Sequence, residues 1–277
     1  MDKHTSKTNA GSSGAKFHYG AKKSLGQNFL NSKGAVADII RTAEIKHGET
    51  VLEIGPGKGI LTQALLSAGA QVVAVEKDIA LFDFLKEKFA EELKSGQLKL
   101  ICGDILALSP HDYQLQTTNY KLVSNIPYSI TGEILRKFIG GNAKPSCAVL
   151  LVQKEVAERI VERGGKGSIL SASVSVYGKP KYIKKVPARY FNPKPKVDSA
   201  ILLVENIKNS FKNENEEKRF FEILKRGFAH KRKKLSGNLS EVFEKEKLAE
   251  IFVSCGIRTD ARAENLKLSD WLCLSRS

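Results

Sequence analysis

The 277-residue sequence has no apolar run long enough to cross a bilayer: its longest stretches, such as residues 148–152, have the length of one strand. No secretory signal is read at its start either, because residues 1–20 lack an apolar run and are rich in Gly, Ser, Lys and His. The four cysteines, Cys102, Cys147, Cys255 and Cys273, include no Cys-x-x-Cys pair, and no residue cluster has zinc or iron spacing. No metal centre is therefore expected, and the thiols are expected to be buried and reduced in a cytoplasmic protein. Acids are scarce: 30 Asp and Glu face 45 Lys and Arg, a net charge of +15 that is hard to reconcile with a small neutral substrate as the sole partner. A protein lying on a membrane surface would need a sustained cationic amphipathic helix or a lipidation signal, and neither is present. Nucleic acid is the partner this charge predicts.

What is present is a chain 42% hydrophobic and 27% charged, able to bury a full core and long enough for two domains. Residues 1–20 read as a disordered basic tail. Val36, Ile39, Ile40 and Ala43 follow helical spacing, with Asn31 or Ser32 available as a cap. Short apolar runs then alternate with helical segments: strands at 51–54, 72–76 and 98–102, helices through 60–66 and 81–89. Such alternation predicts a parallel sheet. Further strands are expected at 121–126, 148–153, 172–177 and 200–204, with part of the sheet antiparallel because long helices no longer separate them. After Glu205 the composition shifts to Asn, Lys and Glu, and only helical periodicity follows, as at Phe220, Leu224 and Phe228. The expectation is a doubly wound α/β domain over 21–206, then a small all-helical domain over 207–277, with no internal repeat.

The first strand runs through Glu53 and Ile54 into Gly55-Pro56-Gly57-Lys58-Gly59 and straight on to a helix. Glycines in that tight turn let backbone approach a ligand closely. Glu76 ends the second strand 21 positions after Gly55, where a carboxylate can accept from both hydroxyls of a ribose. An adenosine-bearing cofactor fits that pairing. The Gly-x-Gly-x-Gly spacing, with Pro56 removing a backbone donor that a pyrophosphate could use, favours S-adenosylmethionine over a nicotinamide dinucleotide. Asp104, after the third strand, is placed to accept from the cofactor's adenine amine or, equally, to cap a helix.

The fourth strand ends in Ser124-Asn125-Ile126-Pro127-Tyr128. In an open parallel sheet the carboxyl ends of neighbouring strands share a crevice, which puts this motif beside the cofactor. An adenine N6 amine is planar and weakly nucleophilic because its lone pair is delocalised into the ring. The Asn125 side-chain oxygen and the Ile126 carbonyl can accept both N6 hydrogens, while Pro127 fixes the turn and Tyr128 offers a flat face for the base, a stacking contact of about 1–3 kcal/mol.

Taken with Ser24-Leu25-Gly26-Gln27-Asn28-Phe29-Leu30, Gln153-Lys154-Glu155-Val156-Ala157, residues 191–199 and Arg262-Ala263-Glu264-Asn265-Leu266, in that order along nearly all of the chain after residue 20, these motifs resemble the KsgA-type ribosomal RNA adenine dimethyltransferases. The resemblance implies a Rossmann-like S-adenosylmethionine-dependent methyltransferase domain with a small C-terminal helical domain, acting on two adjacent adenosines near the 3′ end of small-subunit ribosomal RNA. It also implies that Asn28 and Leu30 join Gly55, Gly57, Gly59, Glu76, Asp104 and Asn125 at the cofactor, although many relatives carry His at the position of Asn28. It places an aromatic from the Phe191 segment against the target base, opposite Tyr128; the residue pattern alone reads Phe191 as core.

Two basic clusters suit RNA. Residues 179–196 hold seven cations and no acid, among them Lys184, Lys185, Arg189, Lys194 and Lys196, interleaved with Tyr182, Tyr190 and Phe191. Lys225, Arg226, Lys231, Arg232, Lys233 and Lys234 form the second, which would position RNA without reading bases. A solvated charged face is the plain alternative for both. The nearest rival functions are a macrolide-resistance type methyltransferase acting on large-subunit RNA, a non-enzymatic transcription-factor relative, and an assembly factor that chiefly binds immature subunits. A nicotinamide oxidoreductase is disfavoured because the crevice offers no acid or base for hydride transfer. Residues 228–235 and 262–266, with Pro56, resemble the small-subunit family more closely than the first rival, and the intact Asn125–Tyr128 motif argues against the second. The chain is expected to act as a monomer on an immature small subunit.

Overall fold

A computed structural model describes residues 20–22, 25–112, 115 and 119–277; the expected basic tail, Gly20 apart, lies outside them. A two-residue strand, β1 (Phe29–Leu30), leads into α1 (Lys33–Ala43), whose first turn is capped by Ser32 accepting from the Ala35 amide, and whose Val36, Ile39 and Ala43 face the core. The chain then alternates: β2 (Thr50–Ile54), α2 (Ile60–Ser67), β3 (Gln71–Glu76), α3 (Ile79–Lys88), α4 (Ala90–Ser95), β4 (Leu98–Cys102), β5 (Tyr120–Asn125), α5 (Thr131–Ile139) and β6 (Cys147–Gln153). Next come α6 (Lys154–Ile160), α7 (Ile169–Ser175), β7 (Lys179–Val186), β8 (Phe191–Asn192) and β9 (Ser199–Glu205), followed by α8 (Glu214–Gly227), α9 (Leu235–Leu239), α10 (Lys245–Ser254) and α11 (Leu268–Arg276).

Seven strands form one sheet in the order β4-β3-β2-β5-β6-β9-β7. β4 through β6 are mutually parallel, while β9 runs antiparallel to both β6 and β7. Helices cover both faces, so the parallel strands are apolar at nearly every position: Val51, Leu52, Val72, Ala74, Leu122, Val123 and residues 148–152 are fully or almost fully buried. This is the Rossmann-like, doubly wound α/β architecture that the alternation predicts. Strand order reverses between β2 and β5, and the crevice beyond their carboxyl ends is where such a sheet binds ligands.

The second half departs from expectation in places. Residues 172–177, expected as a strand from the alternation of Ala172, Val174 and Val176, lie in and just after helix α7. The Ser168 hydroxyl accepts from the Ser171 amide and Ser171 returns the bond to Ser168 N–H, a capping box that outweighs the β-branched side chains. Part of the basic 179–196 segment instead supplies the edge strand β7, whose outward lysines guard an otherwise unpaired ladder. The helical segment after β9 shares one continuous apolar cluster with a face of the sheet: Phe220, Leu224 and Trp271 belong to the same packed group as Leu122 and Leu202.

The cysteines require correction. Cys255 and Cys273 are joined in a disulfide with their Cα atoms 5.8 Å apart, and Cys102 is exposed while Cys147 is half-buried. Sequence spacing could not reveal this pair because helix packing, and not proximity along the chain, brings the end of α10 against α11. No helix among the described residues is long and apolar enough to cross a membrane.

Candidate active site

The glycine turn rests on a buried carboxyl. Glu53 accepts from the Thr62 hydroxyl at 2.7 Å, tying β2 to the first turn of α2, and full burial pushes its pKa up to about 8. Above it, Gly55 and Gly57 adopt left-handed backbone, φ +63° and +59°, and both line a cavity of about 210 Å³. A Cβ on Gly55 would meet no protein atom and would point into open space, whereas one on Gly57 would come within 2.9 Å of the Phe29 ring. Gly59 differs from its expected role. It does not line the cavity; at φ +73° it starts α2, and a Cβ there would strike Phe89 at 2.6 Å, so its bareness serves packing against the end of α3.

Glu76, at the tip of β3, is buried beside the turn. Its two oxygens accept from the Gly57 amide at 3.1 Å and the Asp78 amide at 2.9 Å, leaving further lone pairs to accept from a ligand. Burial raises its pKa, against the lowering pull of those amides. Asp104 lines the cavity and also braces the turn that follows it: one oxygen accepts from the Leu106 amide and the other pairs with Lys77 at 2.8 Å, which holds its pKa down.

The N-terminal segment closes the cavity from the other side. Asn28 and Leu30 line it, together with Leu25, Gly26, Gln27 and Phe29. β1 is fastened by antiparallel pairing of Leu30 with Phe191, and Asn31 donates to the Tyr190 carbonyl at 2.9 Å. Lys22 and the fully buried carboxylate of Asp78, itself the N-cap of α3, add a 2.7 Å ion pair. The Lys58 ammonium sits 5.1 Å from the centre of the Phe29 ring. None of Lys22, Gln27, Phe29 or Asp78 is legible in the sequence as a site residue; only Asp78 leaves a signal, as an Asp preceding an apolar helical run.

Asn125 emerges from β5 into the same cavity, with Ile126, Pro127 and Tyr128. Its amide nitrogen donates to the Asn28 carbonyl at 3.2 Å, which fixes the side chain's sense and leaves Oδ1 as an acceptor facing the cavity. The Ser124 hydroxyl donates to the Ile54 carbonyl at 2.6 Å and so ties β5 to β2. Pro127 opens a short 3-10 turn, 128–130, and the Tyr128 hydroxyl meets the Ser199 hydroxyl of β9 at 2.6 Å. Half-buried, the Tyr128 phenol is pushed above its ordinary pKa by desolvation and stays neutral.

Phe191 lies elsewhere. It is 3% exposed in the core with Leu30, Val36 and Ile201 and does not line the cavity, because its strand pairing with Leu30 turns it inward. Among the basic residues, Lys184 pairs with Asp38, Lys185 with Asp198 and Arg226 with Glu241, acids that lie outside the basic runs themselves. Arg189 lies over the Tyr190 ring. Lys194, Lys196, Lys231, Arg232, Lys233 and Lys234 are exposed, and none forms an ion pair among the described residues. Asn238 holds the second cluster in place by donating to the Gly227 and His230 carbonyls. No group of His, Cys, Asp and Glu among the described residues could hold a metal ion.

Comparison with known proteins accords with this geometry. The chain is 40% identical over 258 residues to the ribosomal RNA small subunit methyltransferase A of Dehalococcoides mccartyi, spanning 92% of this chain and 88% of that one. The protein of the same name from Thermosynechococcus vestitus is 38% identical over 262 residues, 92% of this chain and 96% of its own. Among solved structures, a dimethyladenosine transferase from Plasmodium falciparum superposes with a TM-score of 0.74 at 27% identity, covering 89% of this chain and 95% of that one. The 23S rRNA methyltransferase ErmE gives 0.73 at 25% identity, with 90% and 98% covered. The family of ribosomal RNA adenine dimethylases matches from residue 19 to residue 277, which leaves no part of the described fold outside it, and the chain belongs to that family.

Proposed function

We propose that this protein dimethylates the N6 amines of two adjacent adenosines near the 3′ end of small-subunit ribosomal RNA, acting in the cytoplasm as a monomer on an immature small subunit. The observation that carries the adenine chemistry is the orientation of Asn125: a carbonyl of the N-terminal segment accepts from its amide nitrogen, so its oxygen is the atom offered to the substrate. S-adenosylmethionine, when bound, supplies a methyl group on a sulfonium. The open space over Gly55 and the two carboxylates at the cavity fit it: Glu76 for the ribose hydroxyls and Asp104 for the adenine amine. Gly57 serves by close backbone approach, and Asn28 and Leu30 wall the site.

Asn125 Oδ1 and the Ile126 carbonyl then accept both N6 hydrogens, drawing the amine away from planarity and aiming its lone pair. Tyr128, its hydroxyl held by Ser199, presents a fixed ring for the target base to stack on. Positioning is the main device, since an amine attacking the methyl carbon of a sulfonium, with a neutral thioether as the leaving group, needs no strong base. With Phe191 in the core, the second stacking partner that the resemblance implies would require a different residue or a rearranged loop, so Phe191 acts by supporting β1. Transfer of labelled methyl to immature small subunits and, in parallel, to naked large-subunit RNA tests the assignment. Dimethyladenosine only in the small subunit is expected; label in the large-subunit RNA would move the substrate there, and no transfer to either would leave a binding factor.

RNA is held by the basic clusters of residues 179–196 and of the 207–277 helical unit. The cations that form no ion pair among the described residues, Lys194, Lys196, Lys231, Arg232, Lys233 and Lys234, carry the most available charge, and Lys184, Lys185, Arg189 and Arg226 complete the two clusters. Neutralising Lys231, Arg232, Lys233 and Lys234 together is expected to flatten the salt dependence of RNA binding by about 0.7–0.9 in slope for each phosphate no longer neutralised. An unchanged slope in a titration of affinity against salt would return this cluster to a solvated face.

A further inference from the structure

We propose that Lys137 is a positioning residue for methyl transfer: its ammonium fastens the 105–108 loop, one wall of the cofactor cavity, to the helix that continues from the adenine-binding turn. Lys137 lies on α5, two helical turns beyond the 3-10 turn at Tyr128. Its Nζ donates to the Ile105 carbonyl at 2.7 Å, the Leu106 carbonyl at 3.0 Å and the Leu108 carbonyl, so all three ammonium hydrogens are used on one loop. Among the described residues no backbone N–H reaches those carbonyls, so without Lys137 three acceptors facing the helix would lose their partner.

The loop matters because Asp104, Ile105 and Leu106 line the cavity. Asp104 opens it with bonds to the Leu106 amide and Lys77, and Leu108 closes down on Gly103, where a Cβ would come within 3.1 Å of the leucine side chain. Neither interaction connects the loop to α5. Lys137 does, and Asn125, Tyr128 and the 105–108 wall thereby share one rigid body. This polar tie adds to the apolar cluster that Ile105 shares with Ile134, Leu135 and Phe138 of α5, and reaction rates respond steeply to misplacement of about 1 Å. An ammonium suits this task because its donors diverge from one point toward carbonyls on a curved loop, whereas a planar guanidinium favours flat, paired acceptors.

The inference rests on assigning the cavity to the adenosyl cofactor, and the experiment separates the two. Lys137→Met keeps the aliphatic stem and removes the donors. Binding of S-adenosylhomocysteine by calorimetry, hydrogen exchange of amides 105–108, RNA affinity and single-turnover rate are measured for wild type, Lys137→Met and Lys137→Arg. For Lys137→Met we expect ligand affinity to fall about tenfold or more, faster exchange at 105–108 and a slower single turnover even at saturating cofactor, with RNA affinity unchanged within about twofold. Lys137→Arg, which keeps charge and donors, should recover part of both the affinity and the protection. Unchanged ligand affinity and exchange in Lys137→Met would overturn the proposal. So would a parallel loss of ligand and RNA affinity that Lys137→Arg does nothing to restore, since that marks general loosening. Wild-type protein that fails to bind S-adenosylhomocysteine would overturn the cavity assignment itself.

Discussion

Asn125→Ala is expected to lower the single-turnover rate by roughly 10²–10³-fold or more while leaving cofactor affinity within a few fold. Two interactions are lost at once, one at the reacting amine and one at the segment that closes the cavity. The Oδ1 acceptor disappears, so only the Ile126 carbonyl remains to hold N6, and one hydrogen bond leaves the amine free to rotate and to regain its planar conjugation with the ring. The bond from Nδ2 to the Asn28 carbonyl also goes, which frees part of the segment closing the cavity. That second effect is worth about 1 kcal/mol, close to fivefold, and sets the modest change expected in cofactor binding. The β1–β8 pairing, the Lys22–Asp78 ion pair and the Asn31–Tyr190 bond still hold the segment down. The measurement is rapid-quench methyl transfer with saturating RNA and cofactor, beside a calorimetric titration with S-adenosylhomocysteine. Normal turnover would sink the amine clamp. A large loss of affinity with a normal rate at saturation would recast Asn125 as a cofactor residue.

The parts of this site legible in the sequence are those whose chemistry follows from position along one strand and its turn. Gly55, Gly57, Glu76, Asp104 and Asn125 each sit at the carboxyl end of a strand, and the strands can be counted from their apolar runs, so their convergence follows from topology alone. Gly59 shows the limit of that reasoning. A glycine in the turn reads as a ligand neighbour, but only the packing of α3 reveals that Phe89 and Leu85 occupy the space its side chain would need. The N-terminal segment is recoverable only through resemblance, because its place over the cavity depends on a strand pairing with residues about 160 positions later and on a lysine–aspartate pair that no periodicity marks. Residues 172–177 mislead because alternating small and β-branched residues suit a buried strand and a short capped helix equally well, and the two serines that decide between them precede the run. The Cys255–Cys273 bond and the partners of Lys184, Lys185 and Arg226 are hidden for the same reason: each joins elements whose approach is a consequence of tertiary packing.

The other large effect is expected at Glu76. Glu76→Ala should weaken S-adenosylhomocysteine binding by roughly 10²-fold or more and leave RNA affinity within about twofold, since two bonds from ribose hydroxyls to a charged acceptor are lost, each worth about 1.5–3 kcal/mol. Glu76→Gln should be nearly as harmful. Both carboxylate oxygens already accept backbone N–H groups, from Gly57 and Asp78, so an amide nitrogen in either position would set a donor against a donor. Equal losses of cofactor and RNA affinity would remove the ribose assignment. The pH dependence supplies an independent check. Burial raises the Glu76 pKa above the ordinary carboxylate value, and the ionised form is the one that accepts from both hydroxyls, so affinity should decline as pH falls through that raised pKa, sooner than for an ordinary glutamate. Asp104, held low by Lys77, does not titrate in that window. Stability runs the other way. A carboxyl whose pKa is higher folded than unfolded binds its proton more tightly in the native state, so its contribution is fully present below the unfolded value and is lost as pH rises through the folded one. Glu53, with a folded pKa of about 8, adds to the same trend. Acidification from neutrality should therefore weaken the cofactor's hold while raising the stability contributed by the two buried carboxyl groups beneath and beside the glycine turn, Glu53 being already mostly protonated in the folded protein at neutrality. Affinity that stays flat with pH in wild type, measured against Glu76→Gln as the non-titrating reference, would show that the Glu76 carboxylate does not face the ligand.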